Sequence, residues 1–167
     1  MDTLLYKIEN VTSLREINLS GNPLSNHACK SIQDMLINKD HLKDLDISNC
    51  KIQMQATRSI IWGINKNYGL VNFNFASNML FSKHYEYSIL MAKIITRHQS
   101  IMHIDISSTG LKKEEVLFVG MSLKNSKSVV ALHLSLNALD YYERIFLRTL
   151  ADARVAHHFR NMAADPR

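Results

Sequence analysis

The chain has 167 residues, 46% hydrophobic and 21% charged, with two cysteines and a formal net charge of +5. That length suits one domain with a continuous core, and two cysteines exclude a disulfide-stapled scaffold. No apolar run reaches the roughly 20 residues a membrane span needs, and Met1-Asp2-Thr3 lacks the basic start of a secretory signal, so a reducing, cytoplasmic compartment is expected.

Leu4 and Ile8, four residues apart, predict one face of a leading helix. A strand phrase follows, apolar-x-x-apolar-x-apolar-x-x-Asn-x-apolar, written by Leu14, Ile17, Leu19, Asn22 and Leu24, with Pro23 in its turn. Ile32 and Leu36 then mark a helix, and the phrase returns as Leu42, Leu45, Ile47, Cys50 and Ile52. Ile60 and Ile64 mark the next helix, leading to Leu70, Phe73, Phe75, Asn78 and Leu80. Met91 and Ile95 precede Ile101, Ile104, Ile106, Thr109 and Leu111; Val119 and Leu123 precede Val129, Leu132, Leu134, Asn137 and Leu139. The phrases start 28, 28, 31 and 28 residues apart. Beyond them, 141–163 reads as one long helix with Ile145, Phe146, Leu150 and Phe159 facing inward, and no sixth phrase appears near 157.

All thirty core positions so predicted, four per phrase and two per helix, are Leu, Ile, Val, Met or Phe. A fixed period of this length signals stacked βα units sharing one interior. Residues 1–140 are therefore read as five repeats with a leading half-repeat helix, and 141–167 as a C-terminal helix and tail that cap the stack. The alternative is a piece of a longer array whose ends partner subunits cover. The ninth phrase position lies where the chain leaves the strand, and an Asn there can bond turn backbone from repeat to repeat. Asn22, Asn78 and Asn137 suit that role; Cys50 and Thr109 are weaker substitutes.

Strand alternation turns the third, fifth and seventh positions to the open face of the sheet. They read Glu16, Asp44, Asn72, His103, Ala131; Asn18, Asp46, Asn74, Asp105, His133; and Ser20, Ser48, Ala76, Ser107, Ser135. That face carries four carboxylates and no Lys or Arg. The bases Lys39, Lys66, Arg97 and Lys124 gather instead near the helix C-termini, where they complement the helix dipole for about 0.3–1 kcal/mol each or form a basic strip for an acidic partner. The three-residue excess of the third period falls within Phe81–Tyr87, a stretch whose aromatics Tyr85 and Tyr87 are candidate contact anchors if it is a loop, or inward-packed residues if it is an extra helical turn.

No catalytic constellation is visible. The five glycines are scattered, so no phosphate loop exists. No cysteine pair or His-Glu-x-x-His has metal-ligand spacing, and His103, His133 and Asp105 read as solvated residues of the open face. No cofactor is expected, and a basic strip without interleaved aromatics disfavours nucleic acid.

With its 28-residue period and a full helix in every unit, the pattern over residues 4–139 resembles the ribonuclease-inhibitor-like class of leucine-rich repeats. The resemblance implies an α/β solenoid: a right-handed horseshoe arc with a parallel sheet on the concave side and helices on the convex side. It also implies a non-enzymatic protein-interaction role, exercised through the concave face and the loops after the strands. The expected partner is a protein with a basic segment, held by Glu16, Asp44, Asp46, Asp105, His103 and His133, with Tyr85 and Tyr87 beside them. A second reading is a structural subunit of a large ciliary, axonemal or other cytoskeletal assembly. Small-GTPase activators share the repeat class, but the matching loop residues Asn26, Gln53, Gln55 and Arg58 form no alignable motif.

Overall fold

The computed structural model describes residues 13–78 and 85–138, together with Ile145 and Arg148. Elements alternate as β1 (Glu16–Asn18), α1 (Asn26–Asn38), β2 (Asp44–Asp46), α2 (Met54–Lys66), β3 (Asn72–Asn74), α3 (Tyr85–Arg97), β4 (His103–Asp105), α4 (Lys113–Ser122) with a 3-10 turn at Leu123–Asn125, and β5 (Ala131–His133). The strands form one sheet in chain order, each pair parallel. The helix predicted around Leu4 and Ile8, the phrase residues Leu80 and Leu139, and residues 81–84 of the Phe81–Tyr87 stretch lie outside the described residues. So does the predicted C-terminal helix except Ile145 and Arg148, both helical; Ile145, expected to face inward, is exposed.

Sequence spacing explains why helices cover one side of this sheet. Ile32, Leu36, Ile60, Ile64, Met91, Ile95 and Val119 are fully buried, and Leu123 nearly so. They meet the fourth- and sixth-position side chains of the strands in one continuous core. Burial of each such side chain contributes about 1.5–3 kcal/mol. Phe73 and Phe75, both buried, stack within it with ring centroids 5.4 Å apart. Two glycines permit close approach. A Cβ at Gly63 would lie 3.0 Å from the Gln33 Cα, so its absence lets α1 and α2 pack tightly. At Gly69 a Cβ would lie 1.8 Å from the Asp40 carbonyl oxygen, which no relaxation accommodates.

The turns after the strands carry the polar connections between repeats. The Asn78 carboxamide, fully buried, accepts from the Cys50 and Ile52 N–H groups at 3.1 and 3.2 Å and donates to the Ile47 and Phe75 carbonyls at 2.8 and 3.1 Å. Asn137 repeats the pattern on Thr109, Leu111, Ile106 and Leu134. Thus each Asn closes its own turn and the preceding one. Cys50 keeps a back-link, its thiol donating to the Leu19 carbonyl at 3.1 Å, whereas the Thr109 hydroxyl donates to Ile106 within its own turn. Asn22, exposed at the start of the described array, donates to its own turn through Leu19 and Ser20. One residue before each of these, the backbone is left-handed: φ is +75° at Gly21, +52° at Asn49, +57° at Ser77, +55° at Ser108 and +57° at Leu136.

A second amide connection lies at the opposite edge. Asn67, buried after α2, donates to the Leu36 and Lys39 carbonyls at 2.7 and 3.1 Å and accepts from the Gly69 and Leu70 N–H groups at 2.9 and 2.6 Å. One repeat later His98 occupies the same place. Its Nδ1 accepts from the Ser100 and Ile101 N–H groups at 3.3 and 3.2 Å, so the proton must reside on Nε2. Nε2 faces the Ile64 and Asn67 carbonyls, close enough for them to favour a proton on the ring, yet outside hydrogen-bonding geometry with any partner among the described residues. Burial dominates and pushes the imidazole below its usual range.

Two outcomes follow. Replacement Asn78→Ala strands two buried N–H groups and should cost about 3 kcal/mol or more, against under about 1 kcal/mol for Asn22→Ala, read by chemical denaturation. For His98, the unfolded chain binds the proton that the buried ring refuses, so its contribution is complete above about pH 6.5 and is lost as pH falls toward the depressed folded value. His98→Asn, which restores the amide of the preceding repeat, should flatten this part of the melting-temperature profile between pH 7 and 5. An unchanged slope would contradict the assignment.

Candidate functional site

The three-residue strands place the third and fifth phrase positions in two straight columns. Pairing sets Glu16 beside Asp44, Asp44 beside Asn72, Asn72 beside His103 and His103 beside Ala131. The neighbouring column runs Asn18, Asp46, Asn74, Asp105, His133. Strand spacing of about 4.8 Å separates successive members. All of these residues except Ala131 line a hollow of about 620 Å³ on the sheet face away from the helices. Glu16, His103 and His133 are exposed, and Asp44, Asp46 and Asp105 half-buried. The expected concave residues thus share one surface, and Glu16 and Asp44 meet as adjacent like charges.

Much of the acidic column has a second task that residue type and spacing left unread. Fifth-position oxygens accept from the backbone N–H two residues on: Asn18 from Ser20 at 2.9 Å, Asp46 from Ser48 at 2.9 Å, Asn74 from Ala76 at 3.1 Å and Asp105 from Ser107 at 2.8 Å. Such Asx turns bend the chain out of each strand. The run of Asn and Asp at this position was the available signal. Side-chain amides also clamp the acids: Asn74 donates to the other Asp46 oxygen at 3.0 Å and Asn72 donates to Asp44. The hollow therefore holds fixed charges, and Glu16 has the least constrained carboxylate of the four.

Several expectations need correction. Tyr85 and Tyr87 open α3 and do not lie in a loop. Tyr87 is 2% exposed and its hydroxyl donates to the Met54 carbonyl at 2.9 Å, so it packs the core and is withdrawn from the contact surface. Tyr85 is half-exposed on the helix side, with the Phe118 ring 5.7 Å away, remote from the hollow. The physical reason is helical continuity: the register that buries Met91 and Ile95 puts Tyr87 on the same inner face. Lys39, placed in the exposed basic strip, is buried. Both thiols are free and buried; burial, helped by neighbouring Cys50, pushes Cys29 up to about 12, making it a poor nucleophile. Among the described residues no cluster of three His, Cys, Asp or Glu could hold a metal, and no helix is long and apolar enough to cross a membrane.

The double role of Asp46 separates charge from scaffold. Asp46→Asn loses the bond from the Asn74 amide but keeps an acceptor for the Ser48 N–H, and should cost under about 1 kcal/mol. Asp46→Ala removes it and should cost about 1–2 kcal/mol, measured by urea unfolding.

Residues 13–35, spanning β1 and most of α1, match the family model for the leucine-rich repeat. No curated protein sequence matches the chain. Among solved structures, a tropomodulin C-terminal domain from Caenorhabditis elegans superposes with a TM-score of 0.75 at 17% identity, covering 98% of this chain and 98% of that one. The actin-binding site 2 of leiomodin-1 superposes with a TM-score of 0.76 at 12% identity, covering 98% and 94%. At such low identity these superpositions establish a common fold and nothing more. With its five parallel strands, its alternating helices and its Asn-closed turns, the chain has the leucine-rich repeat fold.

Proposed function

We propose that the chain is a non-enzymatic protein-interaction module that grips a basic segment of its partner in the hollow of the sheet. The observation carrying this reading is the pair of columns in which Glu16, Asp44, Asp46 and Asp105 stand with no Lys or Arg among them. Two of these acids, Asp46 and Asp105, are held by backbone N–H groups, so little conformational entropy is lost when a partner docks. His103 and His133 extend the acceptor surface toward the far strands. Lys and Arg side chains of a partner fit fixed carboxylates at strand spacing, and Arg does so bidentately.

A cytoskeletal setting is supported by the likeness to a leiomodin-1 domain named as an actin-binding site. Actin is accordingly the first partner to test, with the chain acting as a structural subunit on a larger assembly.

Co-sedimentation with filamentous actin, and capture of partners from lysate at low salt, test the reading. The variant Asp44→Asn/Asp46→Asn removes two charges but keeps an acceptor for the Asn72 amide and for the Ser48 N–H. It should weaken capture by about tenfold and reduce its salt sensitivity. Capture at equal strength by natural and neutralised chains would exclude the hollow as the contact surface.

A further inference from the structure

The edge of the sheet where strands begin differs in chemistry from the hollow beside it. Second phrase positions stack there through a backbone ladder: Lys43 N–H to the Arg15 carbonyl at 2.7 Å, Val71 to Lys43 at 2.8 Å, Met102 to Val71 at 2.8 Å and Val130 to Met102 at 2.7 Å. Their side chains are therefore immediate neighbours. The first two are basic, and the later three make an apolar strip that grows more exposed along the array, with Met102 43% and Val130 55% accessible. Tyr68, 73% exposed, stands in an adjacent turn.

Cations frame this strip. Arg97, Lys124 and Lys127 are exposed in the turns leading into β4 and β5, and Lys66 lies 5.9 Å from the Trp62 ring in the turn before. None of these four has a carboxylate partner among the described residues. Across the helix-to-strand turns of the described chain Asp40 is the one acid, and it accepts from the Tyr68 N–H at 3.3 Å. The helix dipole accounts for Lys66 and Arg97, in the last turns of α2 and α3. It accounts neither for Lys127, which lies beyond α4 and its 3-10 turn, nor for exposed Met102 and Val130 in the same place.

We infer that this strand-start edge is a second docking surface, which takes an acidic amphipathic segment of a partner protein. Apolar side chains of the segment cover Met102 and Val130, and its carboxylates meet Arg97 and Lys127. Charge complementarity selects this occupant over a basic one, and a single exposed aromatic, Tyr68, is a poor stacking platform for single-stranded nucleic acid. Adjacent surfaces of opposite sign would let the protein hold two differently charged segments at once. The inference rests on the fold and not on the role of the hollow.

Fluorescence anisotropy tests it, using an amphipathic helical peptide with Leu on one face and Glu on the other, and its counterpart with Lys for Glu. The Glu peptide should bind the natural chain, weaken with added salt, and lose at least about tenfold in affinity for Arg97→Glu/Lys127→Glu. The neutral pair Arg97→Gln/Lys127→Gln and the single change Met102→Ser should each give a smaller loss in the same direction. Asp44→Asn/Asp46→Asn should leave Glu-peptide binding unchanged, which separates this surface from the hollow. Equal Glu-peptide binding by the charge-reversed and natural chains would overturn the inference. So would loss of binding in the hollow variant alone, or an oligonucleotide that displaces the Glu peptide more strongly than unlabelled peptide does.

Discussion

A strand of three residues that ends in a buried turn leaves N–H and C=O groups that only a neighbouring repeat can satisfy, and that constraint organises the molecule. The Asn78 and Asn137 carboxamides meet it by bonding both their own turn and the one before. The bond geometry works at one lateral spacing and one register, so the strands are forced into line. Length can vary only elsewhere: the 31-residue period places its excess between Asn78 and Met91, and the ladder from β3 to β4 is undisturbed. Hydrophobic burial supplies most of the stabilisation, but it tolerates slippage by a turn. Directional amide bonds do not.

The apolar phrase was legible because it alternates with a period of two on strands and repeats every 28 residues, and no other fold asks for both. From it followed the parallel sheet, the buried helix pairs and the membership of both polar columns. Roles set by backbone geometry were harder to read. Nothing in the letters Gly21, Asn49, Ser77, Ser108 and Leu136 says that one left-handed position unites them. Asn67 and His98 share a structural duty, yet as an amide and an imidazole in periods of unequal length they do not align by eye. Tyr87 was ambiguous for a different reason: an insertion can lengthen a loop or a helix, and only packing against Met54 decides. Lys39 shows the reverse, a charged residue drawn under the array at a helix end.

The candidate site was legible in its membership but not in its rigidity. Alternation put Asp46 and Asp105 on the open face, while the hydrogen bonds that immobilise them run to Ser48 and Ser107. One side chain thus ends a strand and presents a charge. Removing the charge need not damage the fold, and damaging the fold need not involve the charge. The basic turns along the neighbouring edge complete an arrangement in which acid and base are adjacent along the chain, Lys43 against Asp44.

Backbone amide resonances of Ser48 and Ser107 report directly on the carboxylates they bond. Titration of a Lys- and Arg-rich peptide into isotopically labelled protein should shift these two amides first and most, with saturation that salt reverses. Perturbations confined to the helices, with Ser48 and Ser107 unmoved, would contradict recognition through the sheet hollow.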